Sequence, residues 1–214
     1  MKWSANYRDE SFLKWLQSLS KKHTSTARVE FLNWLATDRP QFSSHPLGFF
    51  QHKFYFGDVE YRVNVWIKNY QIAKEPNWPI HNHSYDFESL ILIGSLIEVR
   101  YQSRSTKKNP THKVYEVEYL PDGSRLTSEN ILVRLSKCAE ENYVSGSTYT
   151  MKSNEFHEMV CGGDFALSLM TIGEKVNILP QVVTPLHENR KPEIYIQALV
   201  SPEILASKIL QSGL

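Results

Sequence analysis

The sequence predicts a mainly β fold with a helical hairpin at the N-terminus and one helix at the C-terminus. From residue 49 onward, apolar and polar residues alternate with a period of two in several short segments, as in 61–68, 97–101 and 115–119. Turn-forming residues separate these segments, for example from Pro121 to Gly123. Many short strands bounded by such turns are typical of an antiparallel barrel or sandwich.

The segments that flank the strands have the helical period instead. Apolar residues recur at helical spacing twice between residues 9 and 38, which predicts two short amphipathic helices that pack on the outside of the strands or cover one open end. Residues 38–48 form a polar connector punctuated by proline. Near the C-terminus, Ser201 and Pro202 begin a helix that is expected to place Ile204, Leu205 and Ile209 on one side.

Length and composition indicate a single domain. The chain has 214 residues, of which 41% are hydrophobic and 22% charged, and this is enough for one well-buried core. Within that domain we expect residues 1–45 to form a helical extension packed on a β-barrel, and residues 46–214 to form the barrel with its C-terminal helix.

Charge and hydropathy exclude several classes of partner. Lys and Arg number 24 against 23 Asp and Glu, without a long run of like charge, so nucleic acid is not an expected partner. The first ten residues lack the apolar core of a signal peptide and no apolar run approaches ~18 residues, so we expect a cytoplasmic protein without a membrane span. Cys138 and Cys161 are too few for a disulfide framework and are expected to be reduced.

A pair of histidines carries the chemistry. In an extended chain successive side chains point to opposite faces, so His81 and His83 present both imidazoles to one point. Imidazole is the commonest protein ligand of Fe, Mn, Ni, Cu and Zn, and a carboxylate would complete a mixed nitrogen and oxygen site. Structural roles are expected for His23, His45, His52, His112 and His187.

The surroundings of this pair resemble the two motifs of the cupin family. His81, His83 and Glu88 have the spacing of the first motif, and the interval from Gly146 to His157 matches the second. Lys152, Asn154 and Cys161 replace the proline, glycine and asparagine of that second motif. The resemblance implies a double-stranded β-barrel, the jelly roll, which holds one divalent metal ion through the following ligands: His81, His83, Glu88 and His157.

Asp86 is a competitor of Glu88 for the carboxylate position. We expect Asp86 in the turn after the histidine strand, whereas Glu88 begins the next alternation on the same face as Leu90 and Leu92. The sequence therefore favours Glu88. A role of Glu88 that orients a histidine without touching the metal remains the alternative.

Within the cupins, the segment Pro79 to His83 is most similar to the thiol dioxygenases. Those enzymes carry a histidine and a tyrosine on a late strand, and the corresponding stretch, residues 166–170, has neither. Cysteine dioxygenation is therefore not predicted. If the second motif is correct, Tyr149 lines the cavity beside His157 and could donate a hydrogen bond to an oxygen on the metal; a packed tyrosine with a satisfied hydroxyl is the alternative.

The resemblance implies a mononuclear iron dioxygenase that acts on a small polar metabolite, with Fe(II) as the favoured ion and Zn, Mn or Ni as alternatives. A non-oxidative metal enzyme, such as an isomerase, lyase or decarboxylase, and a ligand-binding protein without turnover remain open. Dioxygen and a second copy of the chain are left open as partners. Arg62, Asn64, Trp66 and Tyr149 suggest a pocket for a polar, carboxylated molecule.

Overall fold

The structure is a computed structural model that describes residues 8–72, 79–121, 123–127, 131–187 and 194–212. Its α-helices are α1 (Glu10–Ser18), α2 (Thr24–Asp38), α3 (Lys68–Ile72) and α4 (Pro202–Gln211), and a 3-10 turn, Leu19–Lys21, follows α1. Its strands are β1 (Phe42–Ser44), β2 (Phe49–Phe56), β3 (Val59–Ile67), β4 (Tyr85–Ile93), β5 (Ser95–Ser105), β6 (His112–Leu120), β7 (Gly123–Thr127), β8 (Leu132–Val144), β9 (Thr148–Met151), β10 (Phe156–Cys161), β11 (Phe165–Lys175), β12 (Gln181–Pro185), β13 (Ile194–Ile196) and β14 (Leu199–Val200).

The strands form two antiparallel sheets. The first sheet has the order β14-β1-β2-β3-β11-β4-β9, and the second has the order β10-β5-β8-β6-β7-β13, with β12 also paired to β6. The prediction of a mainly β, antiparallel chain is therefore confirmed. Over the described residues the pairing gives a sandwich of two sheets and not one closed barrel.

Helices cover the outer face of the first sheet. Alternate residues of β2 and β3, among them Phe50, Phe54 and Val63, share one buried cluster with Leu16 of α1 and Phe31 of α2. Residues of α4 belong to the same cluster. The predicted helical hairpin is present and packs on the outside of the strands, because the apolar face of a sheet and the apolar stripe of a helix can bury each other.

The inner face of the first sheet is buried against the second sheet. A separate cluster contains Trp66, Phe87 and Ile91 from the first sheet together with Leu96 and Met159 from the second. Because successive side chains of a strand alternate, even-numbered residues of β3 and odd-numbered residues of β4 and β10 point into this inter-sheet space. This parity decides which side chains can form a site there.

Two local expectations need correction. The connector predicted over 38–48 contains strand β1, which pairs with β2 on one side and β14 on the other. In α4, Leu205 and Ile209 are buried as expected, but Ile204 is exposed, because residues four apart share a helix face and Ile204 lies beside that face. The division of the chain at residue 45 stays a prediction.

No helix in the described part of the chain combines the length and the apolar character that a membrane crossing needs.

His52 of β2 lies beneath α2 in the outer cluster. It is 0% exposed and contacts the rings of Trp34 and Phe42 at centroid distances of 5.7 and 5.5 Å. Its Nδ1–H donates to the carbonyl oxygen of Gln41 at 2.9 Å. Burial lowers the pKa of His52 from 6.5 to about 4, since a charged imidazole would lose its hydration there.

His52→Asn should reduce the pH dependence of stability. Between pH 4 and 6.5 the unfolded chain binds the His52 proton and the fold does not, so stability present above pH 6.5 is lost as the pH falls toward 4. From pH 7.5 to 5 the wild type should lose about 2 kcal/mol more unfolding free energy than the variant, which keeps a donor for the Gln41 carbonyl. Urea unfolding of metal-free protein at both pH values measures this; equal losses would contradict it.

Candidate metal centre

Backbone pairing brings His81 next to His157. His81, just ahead of β4, forms an antiparallel bridge with His157 of β10 and another with Val182 of β12. The two histidines exchange both backbone hydrogen bonds, each at 2.9 Å. Residues paired in this way project side chains on the same face. His83, two residues further along, points to that face as well.

The three imidazoles form a compact cluster. Their candidate ligand nitrogens all lie within 4.8 Å of one another, and the ring centroids are 4.5–5.1 Å apart. Nitrogens bound ~2.1 Å from one ion lie about 3.4 Å apart in a tetrahedral shell and about 3.0 Å apart at adjacent octahedral positions, so a pair 4.8 Å apart needs to close by about 1.5 Å. Rotations of the rings about their side-chain bonds can supply this movement, and the group therefore suits one metal ion.

Hydrogen bonds orient two of the rings. His81 donates from Nδ1–H to the carbonyl oxygen of Pro79 at 2.8 Å, and His157 donates from Nδ1–H to that of Glu155 at 3.1 Å. A carbonyl oxygen only accepts, so these bonds specify the Nδ1–H tautomer and leave Nε2 with its lone pair free. Carbonyls that bind the distal N–H are a common support of metal-ligating histidine.

The electrostatics keep the cluster uncharged. His81 and His157 expose only 9% and 2% of their surface. Burial lowers the pKa of His81 to about 4, and burial with the neighbouring imidazoles lowers the pKa values of His83 and His157 well below 6.5. Three neutral imidazoles compete little with protons for a metal ion at physiological pH.

The turn between β9 and β10 connects the ligands to one another. The backbone N–H of Asn154 donates to the carbonyl oxygen of His83 at 3.1 Å, and the next residue, Glu155, accepts the Nδ1–H of His157. Asn154 has a φ of 69°, a left-handed conformation that asparagine adopts more readily than most residues. This explains why asparagine can replace the glycine of the sequence motif at this position.

Asp86 holds this turn from the first sheet. Its carboxylate accepts the backbone N–H of Ser153 at 2.8 Å and the Nζ–H of Lys152 at 2.6 Å. These two hydrogen bonds lower the pKa of Asp86. From the second sheet, Arg100 lies 3.7 Å from the Glu155 carboxylate. Asp86 lies in strand β4 and not in the turn that the sequence predicted. Its hydrogen bonds to the β9–β10 turn suit a residue that orients His157.

The structure does not bring Glu88 to the three histidines, which corrects the expected ligand set. Glu88 is exposed, and its backbone pairs with Thr150 of β9 on one side and Thr171 of β11 on the other. It shares a face with Leu92, as the sequence indicated, but that face is the outer one, toward the helices. The physical reason is parity: Phe87 and other odd-numbered residues of β4 point inward.

Tyr149 is buried in the inter-sheet space but is separated from the histidines by an aromatic ring. Its ring is 6.0 Å from Phe87 and 4.7 Å from Tyr143, and Phe87 is in turn 5.1 Å from the ring of His83. Burial raises the pKa of Tyr149, so its hydroxyl remains protonated. Its catalytic role stays a prediction.

Tyr85 lies beside the histidines, although the sequence analysis did not select it as a site residue. The available signal was its position two residues after His83 on the same strand face. It has the same parity as His81 and His83, and its ring lies 5.0 Å from that of His83. Its hydroxyl accepts a hydrogen bond of 2.6 Å from Arg62, which had been singled out as a pocket residue. Arg62 lies on the inner face of β3 with Trp66. These two side chains extend the site beyond the histidines.

Glu98 of β5 was also missed. In the alternating segment 97–101 the apolar positions are Ile97 and Val99, but Leu96 and Glu98 point toward the first sheet, and Glu98 is 1% exposed. Its carboxylate accepts hydrogen bonds of 3.2 Å from Arg100 and from Tyr143. Burial raises its pKa. Leu96 is apolar and lies two residues before Glu98 on the same face of the strand, so it was the sequence signal that this face points inward.

No protein-family model matches this chain, and no curated protein matches it in sequence. The three histidines and their surroundings therefore carry the functional argument.

The first expected outcome at this centre is a stoichiometry of about one divalent metal ion per chain. His81→Ala and His157→Ala should each abolish binding, because two imidazoles rarely hold a divalent ion against competing buffer. His23→Ala, on the exposed N-terminal end of α2, is the matched control. Elemental analysis of dialysed protein measures the content. Full metal content in either ligand variant, with an unchanged circular dichroism spectrum, would remove the assignment.

Asp86→Ala should weaken metal affinity by about tenfold, because the turn that orients His157 loses its attachment to β4. Asp86→Asn retains an acceptor for the Ser153 N–H and should lose less. Glu88→Ala, which removes a carboxylate from the same strand, is the control and should leave affinity unchanged. Competition with a fluorescent chelator measures all three. A larger loss for Glu88→Ala than for Asp86→Ala would restore Glu88 as a ligand.

Proposed function

We propose that the protein is a metal-dependent enzyme with a cupin-type jelly roll and one metal ion held by His81, His83 and His157. The observation that carries this proposal is the convergence of three neutral imidazoles from two chain segments on one point, with His81 and His157 buried and His83 partly buried. The antiparallel sandwich and the spacing of the two sequence motifs support the cupin assignment.

Three protein ligands favour a catalytic over a structural role. Structural sites usually close the coordination shell with four protein ligands, whereas catalytic sites leave positions for substrate. A divalent ion bound here would supply Lewis acidity, and Fe(II) would add redox chemistry with dioxygen as co-substrate. We favour the iron-dependent dioxygenase as the reaction class.

The residues around the histidines indicate how a substrate would be held. The guanidinium of Arg62 is 4.8 Å from the ring centroid of Tyr85, and its charge helps to lower the pKa of His83. Arg62 is thus close enough to bind an acidic group of a small molecule that reaches the histidines. Burial raises the pKa of Tyr85, so its hydroxyl keeps its proton and can donate a hydrogen bond to such a molecule.

A second candidate is a Lewis-acid enzyme without oxygen chemistry. The observation in its favour is that, among the described residues, the cluster contains three neutral nitrogens and no carboxylate. Such a set is also used by zinc in hydration chemistry. The two candidates therefore differ in the metal bound and in the need for oxygen.

Protein purified without added metal should contain iron as its main bound metal if the first candidate is correct, and zinc, manganese or nickel if the second is. Elemental analysis decides between them. As a second readout, Fe(II)-loaded protein should consume oxygen in the presence of a small organic acid from a screening panel, and Zn-loaded protein should not. Turnover of a panel compound by the Zn-loaded protein without oxygen would overturn the dioxygenase proposal.

A further inference from the structure

A group of cations faces the inter-sheet space at the Arg62 end of the histidine cluster. Lys53 of β2 is the direct cross-strand partner of Arg62, and both belong to the inner face of the first sheet. Lys175 of β11 lies 3.8 Å from Glu60. Glu60 is also paired with Arg62 at 2.7 Å. Three cations therefore share one carboxylate at this place, in a chain whose net charge is only +1.

The pairing of Lys53 with Arg62 is unfavourable in the absence of an anion. Like charges directly opposite each other on antiparallel strands repel and destabilise the sheet. Glu60 offsets part of this repulsion, but its ion pairs are with Arg62 and Lys175 and it acts on Lys53 only through the longer-range field. Among the described residues this cluster has more cations than carboxylates, which suits an anion-binding site because a bound anion reduces the repulsion.

The cations lie where the two sheets meet. Tyr119 of β6, in the second sheet, is 65% exposed and has Tyr85, Arg62 and Glu60 of the first sheet as its electrostatic neighbours. Lys53 of β2, in the first sheet, is exposed as well. This solvent-accessible place, at which Lys53, Arg62 and Tyr119 lie, is here called the rim.

The rim is close to the histidines. Arg62 contacts the hydroxyl and the ring of Tyr85, and the ring of Tyr85 lies 5.0 Å from that of His83. A small molecule whose acidic end lies between Arg62 and Lys53 would therefore reach the histidine cluster with its other end. A metal ion held by three neutral imidazoles would add to the positive potential of this space.

We propose that Lys53 and Arg62 form the recognition site for a small dianion, either a dicarboxylate or a phosphorylated acid, whose remaining part extends to His83. Lys53 determines the selectivity for a second negative charge, because Glu60 already compensates part of the charge of Arg62. As a substrate site, this assignment rests on the proposed function; as an anion site, it stands on the cations alone.

Anion titration of metal-free protein tests the site. We use malonate, inorganic phosphate and acetate as probes in isothermal titration at constant ionic strength. Malonate or phosphate should bind at least about tenfold more tightly than acetate, and Lys53→Gln should remove about that factor, the effect of one partly desolvated ion pair. Lys53→Arg, which keeps the charge, should retain it. Preference for malonate indicates a dicarboxylate substrate and preference for phosphate a phosphorylated one.

Controls separate this inference from the metal proposal. Lys14→Gln changes an exposed lysine of α1 that pairs with Glu10, and it should leave dianion affinity unchanged. His81→Ala should bind the dianion as the wild type does, even though it cannot hold metal. Equal affinity for acetate and both dianions, or an unchanged affinity in Lys53→Gln, would overturn the site. Binding that appears only after metal loading would overturn it as well, since the anion would then be a ligand of the metal.

Discussion

The rest of the structure depends on the antiparallel bridge between His81 and His157. Their paired backbone hydrogen bonds attach the segment ahead of β4 to the edge strand β10 of the second sheet. The chain then continues from this bridge into the first sheet, so the bridge lies where the two sheets meet. A pair that exchanges both hydrogen bonds fixes the distance and the facing of its side chains. The position of two candidate ligands is thus a property of the backbone.

The layers around this bridge give the imidazoles their chemical state. The helical layer covers the outer face of the first sheet, and the aromatic residues Trp66 and Phe87 fill the space between the sheets. Water is largely excluded from the cluster, which makes the charged form of each imidazole unfavourable. Burial, which makes a charged side chain unfavourable, therefore keeps these three candidate ligands neutral.

Positive charge predominates over negative charge around the histidine cluster and at the rim beside it. The histidine cluster has no carboxylate among the described residues, and the rim beside it has more cations than Glu60 alone can balance. A divalent metal ion and the cationic rim would together create a strongly positive potential in the space between the sheets. Such a field attracts anionic molecules and raises their local concentration. The metal proposal and the anion proposal are therefore compatible, although each can fail without the other.

The sequence by itself determined the alternation of the strands, the helices at both ends and the shared face of His81 and His83. The spacing of His81 and His83 decides that they share a face of an extended chain, whatever the fold around them. The spacing from Gly146 to His157 led to the third ligand only through the family resemblance, because no local rule states which distant strand is paired with His81.

Only the tertiary structure decided which face of each strand is the inner one. In β4 both faces carry apolar residues, since one is buried by helices and the other by the second sheet. Hydrophobic alternation cannot distinguish two buried faces, so it favoured Glu88 over Asp86 for the carboxylate position that the family resemblance implies. In β5 the same ambiguity concealed Glu98, and Asp86 gained its role from a turn far along the chain. The sequence determines which residues of a strand share a face. Which of the two faces is the inner one depends on the layers that pack on each side of the sheet.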